Sequence, residues 1–344
     1  MEALRGLKST PESAYDELVT GQKSIRYHWQ GILSVIRSLP GDEQAGGHGG
    51  GMAERVESAR RQLQESGATV NLLNDRGTPG WTFDPLPFVL APDEWEAIER
   101  GLIQRATLLD GILADLYGPQ TLLHDKLVPP MLLHANRHFQ RACRVTDGAA
   151  PAHRLAQYAV DLVRQSDGRW YVLADHTEVP SGIGYALEMR RVLARSLPEA
   201  FRSIPVRHLR PFVDRWHDSL AALAPAEVER PTMAVLTPGS LSSSYFEHVY
   251  LSRSLGVPLV EGGDLVARDG QVAIKTLAGL RPVNVLLRRL DSSFADPLEL
   301  RADSALGVTG LVEATRTARV ALANALGSGV VETPAMMPFL ERLA

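Results

Sequence analysis

Apolar positions recur with a helical period in several stretches of this chain. From Pro92 to about Tyr117 they fall at Ile98, Leu102, Ile103, Leu109, Ile112, Leu113 and Leu116, behind a Pro-Asp-Glu start, which predicts one long amphipathic helix. Shorter helical patterns cover about 54–66, 183–197, 208–223 and 243–256, the last closed by Gly256. Residues 1–40 also read as helical, and Pro129-Pro130 opens a helix expected to reach about Cys143. Elsewhere the pattern is that of strands. Tyr158–Arg164 and Arg169–His176 flank Asp167-Gly168, a hairpin signal. Apolar runs at 233–240, 257–262 and 283–291, with a hairpin at 264–276 around Asp269-Gly270, complete an α/β stretch. Strand, helix, strand in that order predicts a parallel pair joined by a crossover. A short strand is expected at 68–73, a glycine-rich connector with a solvated His48 at 41–51, and an irregular but ordered loop at 75–95.

The hairpin at 158–176 fixes a geometry. If Asp167-Gly168 is a two-residue turn, residue i faces residue 335 − i, so Asp161 faces Ala174. His176 then lies on the same side and Asp175 on the other, because side chains alternate along a strand. A four-residue loop gives the same pairing, whereas three or five residues break it.

Composition narrows the classes of protein. The chain has 344 residues, 44% hydrophobic and 22% charged, enough for two domains with sizeable cores. A formal charge of -4 gives no bulk electrostatic case for nucleic acid or an anionic membrane. The start carries acidic residues where a signal peptide needs basic ones, and no apolar run reaches membrane-spanning length, so a cytoplasmic location is the default expectation. The single cysteine, Cys143, makes no intrachain disulfide and reads as a buried thiol. His134 and His138, four apart, have zinc-ligand spacing but neither an adjacent Glu nor a third ligand, and read as a structural pair.

Three segments carry candidate chemistry. In PSGIGYALEMR (180–190) a helix start near Ile183 aims N–H groups and a positive dipole end at an anion, with Arg190 and Arg191 adding charge; a plain helix start with solvated arginines is the alternative. Arg288, Arg289, Asp291 and Asp296 cluster at the end of an apolar strand, where α/β folds bind ligands, or form a buried salt-bridge network. Glu247 and His248 lie on a helix, where His248 reads as packed or exposed. GSGVVE (327–332) has too few glycines and no following Lys to be a Walker loop.

DLVRQSDGRWYVLADHTEVPSGIGYALEMR (161–190) resembles the acidic hairpin and Pro-Ser-Gly loop of circularly permuted ATP-grasp proteins, a family related to glutathionylspermidine synthases. The likeness continues through 237–270, 287–297 and 305–332, and includes FDPLPFVLAPDEWEAIERGLIQRATLLDGILADLYGPQ at 83–120. The resemblance implies an α+β fold: an incomplete permuted ATP-grasp with N-terminal helices and a Rossmann-like preATP-grasp portion. The boundaries expected are 1–52 for a helical segment and linker, 53–229 for a helical region with the hairpin and substrate loop, and 230–344 for the preATP-grasp portion.

The resemblance also implies an ATP- and magnesium-dependent carboxylate–amine ligase, with a peptide or amino-acid-like carboxylate and an amine donor as substrates. Asp161 would be catalytic and a metal ligand, and Arg190 would hold substrate or phosphate. Ser181, Gly182, Tyr185, Arg288, Arg289 and Asp291 would bind substrate. Related active enzymes carry Glu and Asn at the second-strand positions that are Ala174 and His176 here, so the metal set is Asp161 with His176, and with Asp175 only if the register differs. Methyl and imidazole are poor magnesium ligands. Met189 stands where the family often has Asn, and Ser292 and Ser293 where it often has acids. The alternative implied is a degenerate binding or scaffolding module.

No lysine follows Lys275. The lysine-bearing nucleotide half is therefore expected beyond residue 344 or in a partner protein, and the chain alone is expected to hold neither ATP nor magnesium tightly. A helix at 309–325 and the cluster Met336, Met337, Phe339, Leu340 and Leu343 either pack on the core or form a docking face.

Overall fold

A computed structural model describes residues 14–40, 51–68, 84–145 and 153–344. Residues 41–50 with His48, and nearly all of the expected strand at 68–73, lie outside the described residues. Helices α1 (Tyr27–Ser38), α2 (Met52–Ser66), α3 (Pro92–Leu116), α4 (Thr121–His124) and α5 (Pro130–His134) come first. The hairpin β1 (Ala159–Arg164) and β2 (Trp170–His176) follows, then α6 (Ile183–Ser196), α7 (Pro198–Ser203) and α8 (Arg210–Ala221). The remainder alternates: β3 (Met233–Leu236), α9 (Tyr245–Leu255), β4 (Leu259–Val260), β5 (Leu265–Arg268), β6 (Gln271–Thr276), β7 (Gly279–Val283), β8 (Val285–Arg288), α10 (Leu311–Arg316), β9 (Ala321–Ala323) and α11 (Met337–Leu343). Helix and sheet are thus mixed, as expected. The chain forms two compact units, one of residues 1–100, 162–173 and 185–208, the other of 101–161, 174–184 and 209–344.

In the first unit α1 buries Trp29, Ile32, Leu33 and Val35 and packs against α7. Arg55 of α2 pairs with Glu199 at 2.9 Å and donates to the Ser196 carbonyl. Arg164 lies between the rings of Tyr15 and Trp170, 4.5 and 4.2 Å from their centroids, with Glu17 and Glu94 as counter-charges. Of the helix expected over 1–40, residues 1–13 lie outside the described residues, and 14–40 form helix only in α1. Residues 14–26 are irregular because Asp16 accepts the Leu18 and Val19 N–H groups, a local competitor of the helical ladder.

The second unit is built on a four-stranded parallel sheet in the order β4-β3-β8-β9. Every residue of β3 and β8 is buried, the pattern of central strands covered on both faces. Ala234, Leu236, Leu286 and Leu322 form one core with Leu109, Leu113 and Leu116 of α3 and with Leu311 and Val312 of α10. A three-stranded antiparallel sheet, β5-β6-β7, is inserted between β4 and β8.

Two expected helices are corrected here. The pattern at 309–325 is the six-residue α10, then a turn at Ala318 with φ 54°, then β9 on the edge of the parallel sheet. A short apolar run fits either period, and the parallel ladder to β8 decides it. The helix from Pro129-Pro130 ends at His134 because the Asn136 side chain accepts the His138 N–H and donates to Val330 O at 3.0 Å. His134 and His138 are therefore not stacked on one helix. Of the C-terminal apolar cluster, Met336 and Leu340 are part of the core and Leu343 lies against it, while Met337 and Phe339 are half-buried.

Candidate functional site

The chain passes from β3 to β4 on one side of the parallel sheet and returns through β8 on the other. Strand order reverses between β3 and β8, and open α/β sheets bind ligands beyond the strand ends at that point. Thr237-Pro-Gly leaves β3 there, and Arg289 leaves β8. Thr237 Oγ1 lies 2.8 Å from His248 Nδ1 and accepts the Gly239 N–H at 3.1 Å. Burial, helped by Arg289, pushes His248 down to about 3, so the ring is neutral near pH 7.

Glu247, fully buried, is the anion at the start of α6. Its carboxylate accepts the Gly182 N–H at 2.9 Å and the Gly184 N–H at 3.0 Å. A side chain at Gly184 would come within 2.8 Å of Glu247 Cγ, so glycine is required for this approach. The expected anion-binding helix start thus holds a carboxylate of the protein itself. Ser181 and Gly182 are exposed and Tyr185 is buried.

Arg289 is 4% exposed, and its neighbours under-satisfy it. Nη1 donates to Gln157 Oε1 at 3.3 Å, and Nη2 lies 3.5 Å from Glu247 Oε2. Among the described residues Nε and Nη2 have no hydrogen-bond partner. Desolvation lowers the affinity of this guanidinium for its proton, with Glu247 opposing and Arg288 reinforcing the effect.

Arg288 differs. It donates from Nε to Asn324 O, from Nη1 to Glu178 Oε1 at 3.1 Å and to Leu290 O, and from Nη2 to Glu178 O at 3.0 Å. Glu178 also accepts the Ser292 N–H at 2.6 Å and the Gly329 N–H at 2.7 Å. Burial alone would raise its carboxyl, but Arg288, Ser292 and Gly329 hold it below the ordinary range. Asp296 is also internal, accepting the N–H groups of Gly310 and Val312 at the start of α10. Asp291 is exposed. The expected four-residue cluster therefore separates into three buried settings, those of Arg288, Arg289 and Asp296, and one surface acid, Asp291.

At the hairpin, Gly168 N–H donates to Gln165 O and Gln165 N–H to Arg169 O. This is a three-residue loop with Gly168 at φ 84°, so the expected pairing of i with 335 − i is off by one at the turn. His176 Nε2 nevertheless lies 3.1 Å from Asp161 Oδ2. Asp175 is buried elsewhere, held by Arg105 at 2.7 and 2.6 Å and by the Tyr158 hydroxyl at 2.6 Å. Burial, with this bond, raises the Tyr158 phenol. Arg190, in the first unit, donates to Arg207 O at 2.7 Å and stacks 5.1 Å from the Phe201 ring. Cys143 is buried and its thiol pushed up to about 12 by desolvation.

Sequence reasoning passed over Glu178, Gln157, Thr237 and Asn324. Thr237 had a signal, a hydroxyl just past a central strand. Asn324 had none.

A parallel sheet whose central strands β3 and β8 lead into buried polar side chains is an α/β arrangement. The chain belongs to the circularly permuted ATP-grasp type 2 family, whose model matches residues 87–344. An uncharacterized protein of Mycobacterium tuberculosis is 39% identical over 354 residues, covering 100% of this chain and 39% of that protein. One of Synechocystis is 40% identical over 296 residues, covering 85% of this chain and 61% of its own length. The chain thus spans less than two thirds of the length of each of these curated relatives. A glutathione synthetase-like effector from Globodera pallida, in apo form, superposes with a TM-score of 0.50 at 14% identity over 84% of this chain and 66% of its own, which shows the fold alone. Among the described residues no helix is long and apolar enough to cross a membrane.

Proposed function

We propose that this chain is the carboxylate-binding part of an ATP-dependent carboxylate–amine ligase, with β3, α9, β4, β8 and β9 as its Rossmann-like preATP-grasp portion. One observation carries the reading. Arg289 is buried just past β8, at the switch point, with Nε and Nη2 making no hydrogen bond among the described residues and Glu247 Oε2 3.5 Å from Nη2. A buried guanidinium in that state is stabilised by an entering carboxylate, which takes two parallel N–H bonds. Thr237 leaves the neighbouring strand β3 at the same end of the sheet, and neutral His248, bonded to it, adds no competing charge. Arg288 orients the strand end through Glu178. Asp291, exposed three residues past β8, would act at the margin of the substrate.

The magnesium part of the reading fits the hairpin poorly. Asp161 is one carboxylate, Ala174 offers no donor, His176 offers nitrogen and Asp175 is locked by Arg105 and Tyr158. Among the described residues no group of three His, Cys, Asp or Glu side chains could hold a metal. Magnesium wants near-octahedral oxygen, which one carboxylate beside an imidazole does not supply. This favours a second reading, a binding module of the same fold without phosphoryl transfer.

Two measurements separate the readings. Titration of the 344-residue chain with succinate and L-glutamate is expected to show saturable binding that Arg289→Gln abolishes; binding unaffected by the substitution would move the site elsewhere. Hydroxylamine trapping with ATP and a panel of carboxylates, in the longer Mycobacterium tuberculosis relative, is expected to yield hydroxamate. No hydroxamate with any carboxylate would leave the binding module.

A further inference from the structure

Residues 131–138 and the segment 332–334 enclose a cleft of about 540 Å³ that the carboxylate site does not use. This is room for a small metabolite. Its charged groups are of both signs and are held in place. Glu332 Oε1 accepts the N–H groups of Thr177 and Glu178, the latter at 2.6 Å. Its second oxygen, Oε2, has no hydrogen-bond partner among the described residues. Arg137, an exposed side chain in the same lining, donates from Nε to His138 Nε2 at 3.2 Å. The two terminal nitrogens of Arg137 have no partner among the described residues. Asn136 is already closed by Val330 and His138 and contributes shape only. Met131 (76% exposed), Leu132 and Pro334 form an apolar wall.

A cleft lined by a held carboxylate, an exposed guanidinium and apolar side chains selects a ligand of the same pattern reversed. We propose that it takes a free α-amino acid with an apolar side chain: Glu332 holds the ammonium, Arg137 the carboxylate, and Met131, Leu132 and Pro334 the side chain. In the ligase reading, on which this assignment of a role rests, the cleft is the amine-donor subsite. It joins the hairpin through Glu332, whose carboxylate grips the two backbone amides that follow His176. A monocarboxylate lacking an amine leaves Glu332 facing no cation, and an amine lacking a carboxylate leaves Arg137 facing no anion.

The probes are L-leucine, N-acetyl-L-leucine and L-leucinamide, titrated into the 344-residue chain by calorimetry and saturation-transfer NMR. L-Leucine is expected to bind, and each capped form to bind at least tenfold more weakly. Arg137→Gln is expected to weaken L-leucine at least tenfold while leaving L-leucinamide unchanged and the thermal midpoint unmoved, since Arg137 is exposed. Glu332→Gln alone is not decisive because it also loosens the amides of Thr177 and Glu178. Absence of L-leucine binding, equal binding of all three probes, or an Arg137→Gln variant that binds L-leucine normally overturns the proposal. Arg137-dependent L-leucine binding together with no hydroxamate from the longer relative keeps the cleft and removes the ligase. Hydroxamate formation with no L-leucine binding does the reverse.

Discussion

Arg288 and Arg289 are neighbours on one strand end, both buried, and they meet opposite surroundings. Arg288 reaches Glu178, Asn324 and two further carbonyls, and every donor is matched inside the protein. Arg289 faces Glu247 at 3.5 Å and Gln157 at 3.3 Å, with Nε and Nη2 making no hydrogen bond among the described residues. Alternation along an extended strand sends consecutive side chains to opposite faces. In the reading proposed above, the difference separates scaffold from site: a satisfied buried charge holds shape, whereas an under-satisfied one can take a ligand.

The comparison breaks most sharply at Glu178. Glu178→Gln leaves Arg288 uncompensated in the interior and is expected to cost about 3–5 kcal/mol, read as a lower urea midpoint. The pair Glu178→Leu with Arg288→Met is expected to cost clearly less than either single change. A midpoint that does not move would dissolve the scaffold assignment.

Acid sharpens it next. Glu178 titrates below its ordinary 4.5 in the fold, so its contribution is present above that pH and fades as pH falls toward the folded value. His248 titrates at about 3 in the fold against 6.5 ordinarily, so the unfolded chain takes up a proton first and stability declines from about pH 6.5 toward 3. In a stability–pH profile, His248→Asn is expected to flatten the part between pH 6.5 and 5 and leave the steeper fall below it. Identical profiles would mean His248 is already protonated in the fold.

Glu247→Gln keeps an acceptor for Gly182 and Gly184 but removes the charge at the start of α6. About 1 kcal/mol of lost stability is expected, seen as a small fall in the thermal midpoint. Arg289→Met is expected to move that midpoint least, by well under half of the Glu178→Gln effect, because few bonds are lost. A fall as large as that of Glu178→Gln would place Arg289 with the scaffold.

Much of the second unit was legible in the chain. The apolar runs around Val235 and Leu286 and the Gly256 stop mark β3, β8 and α9, and Asp269-Gly270 marks its hairpin with φ 52° and 70°. What escaped was set by partners distant in sequence. β9 exists because Ala321–Ala323 pairs with β8, and its apolar run fits a helix equally well. The hairpin turn was misjudged because Ser166-Asp167-Gly168 suits a three-residue loop as readily as Asp-Gly suits a two-residue one. Arg288 and Arg289 are identical letters, so only the positions of Glu178 and Glu247 tell them apart.

Asn324 has a consequence of its own. Its side-chain oxygen accepts the N–H groups of Ala156 at 2.8 Å and Gln157 at 2.7 Å, and its amide donates to the carbonyls of Gln157 and Thr177. Residues 156 and 157 precede β1 and belong to no strand ladder. Their amides would otherwise trade hydrogen for deuterium at the pace of an irregular segment. One carboxamide 167 positions away instead sets their clock, so the exchange lifetimes of these two amides report the opening of the β9 end of the sheet, far along the chain from where the isotope is counted.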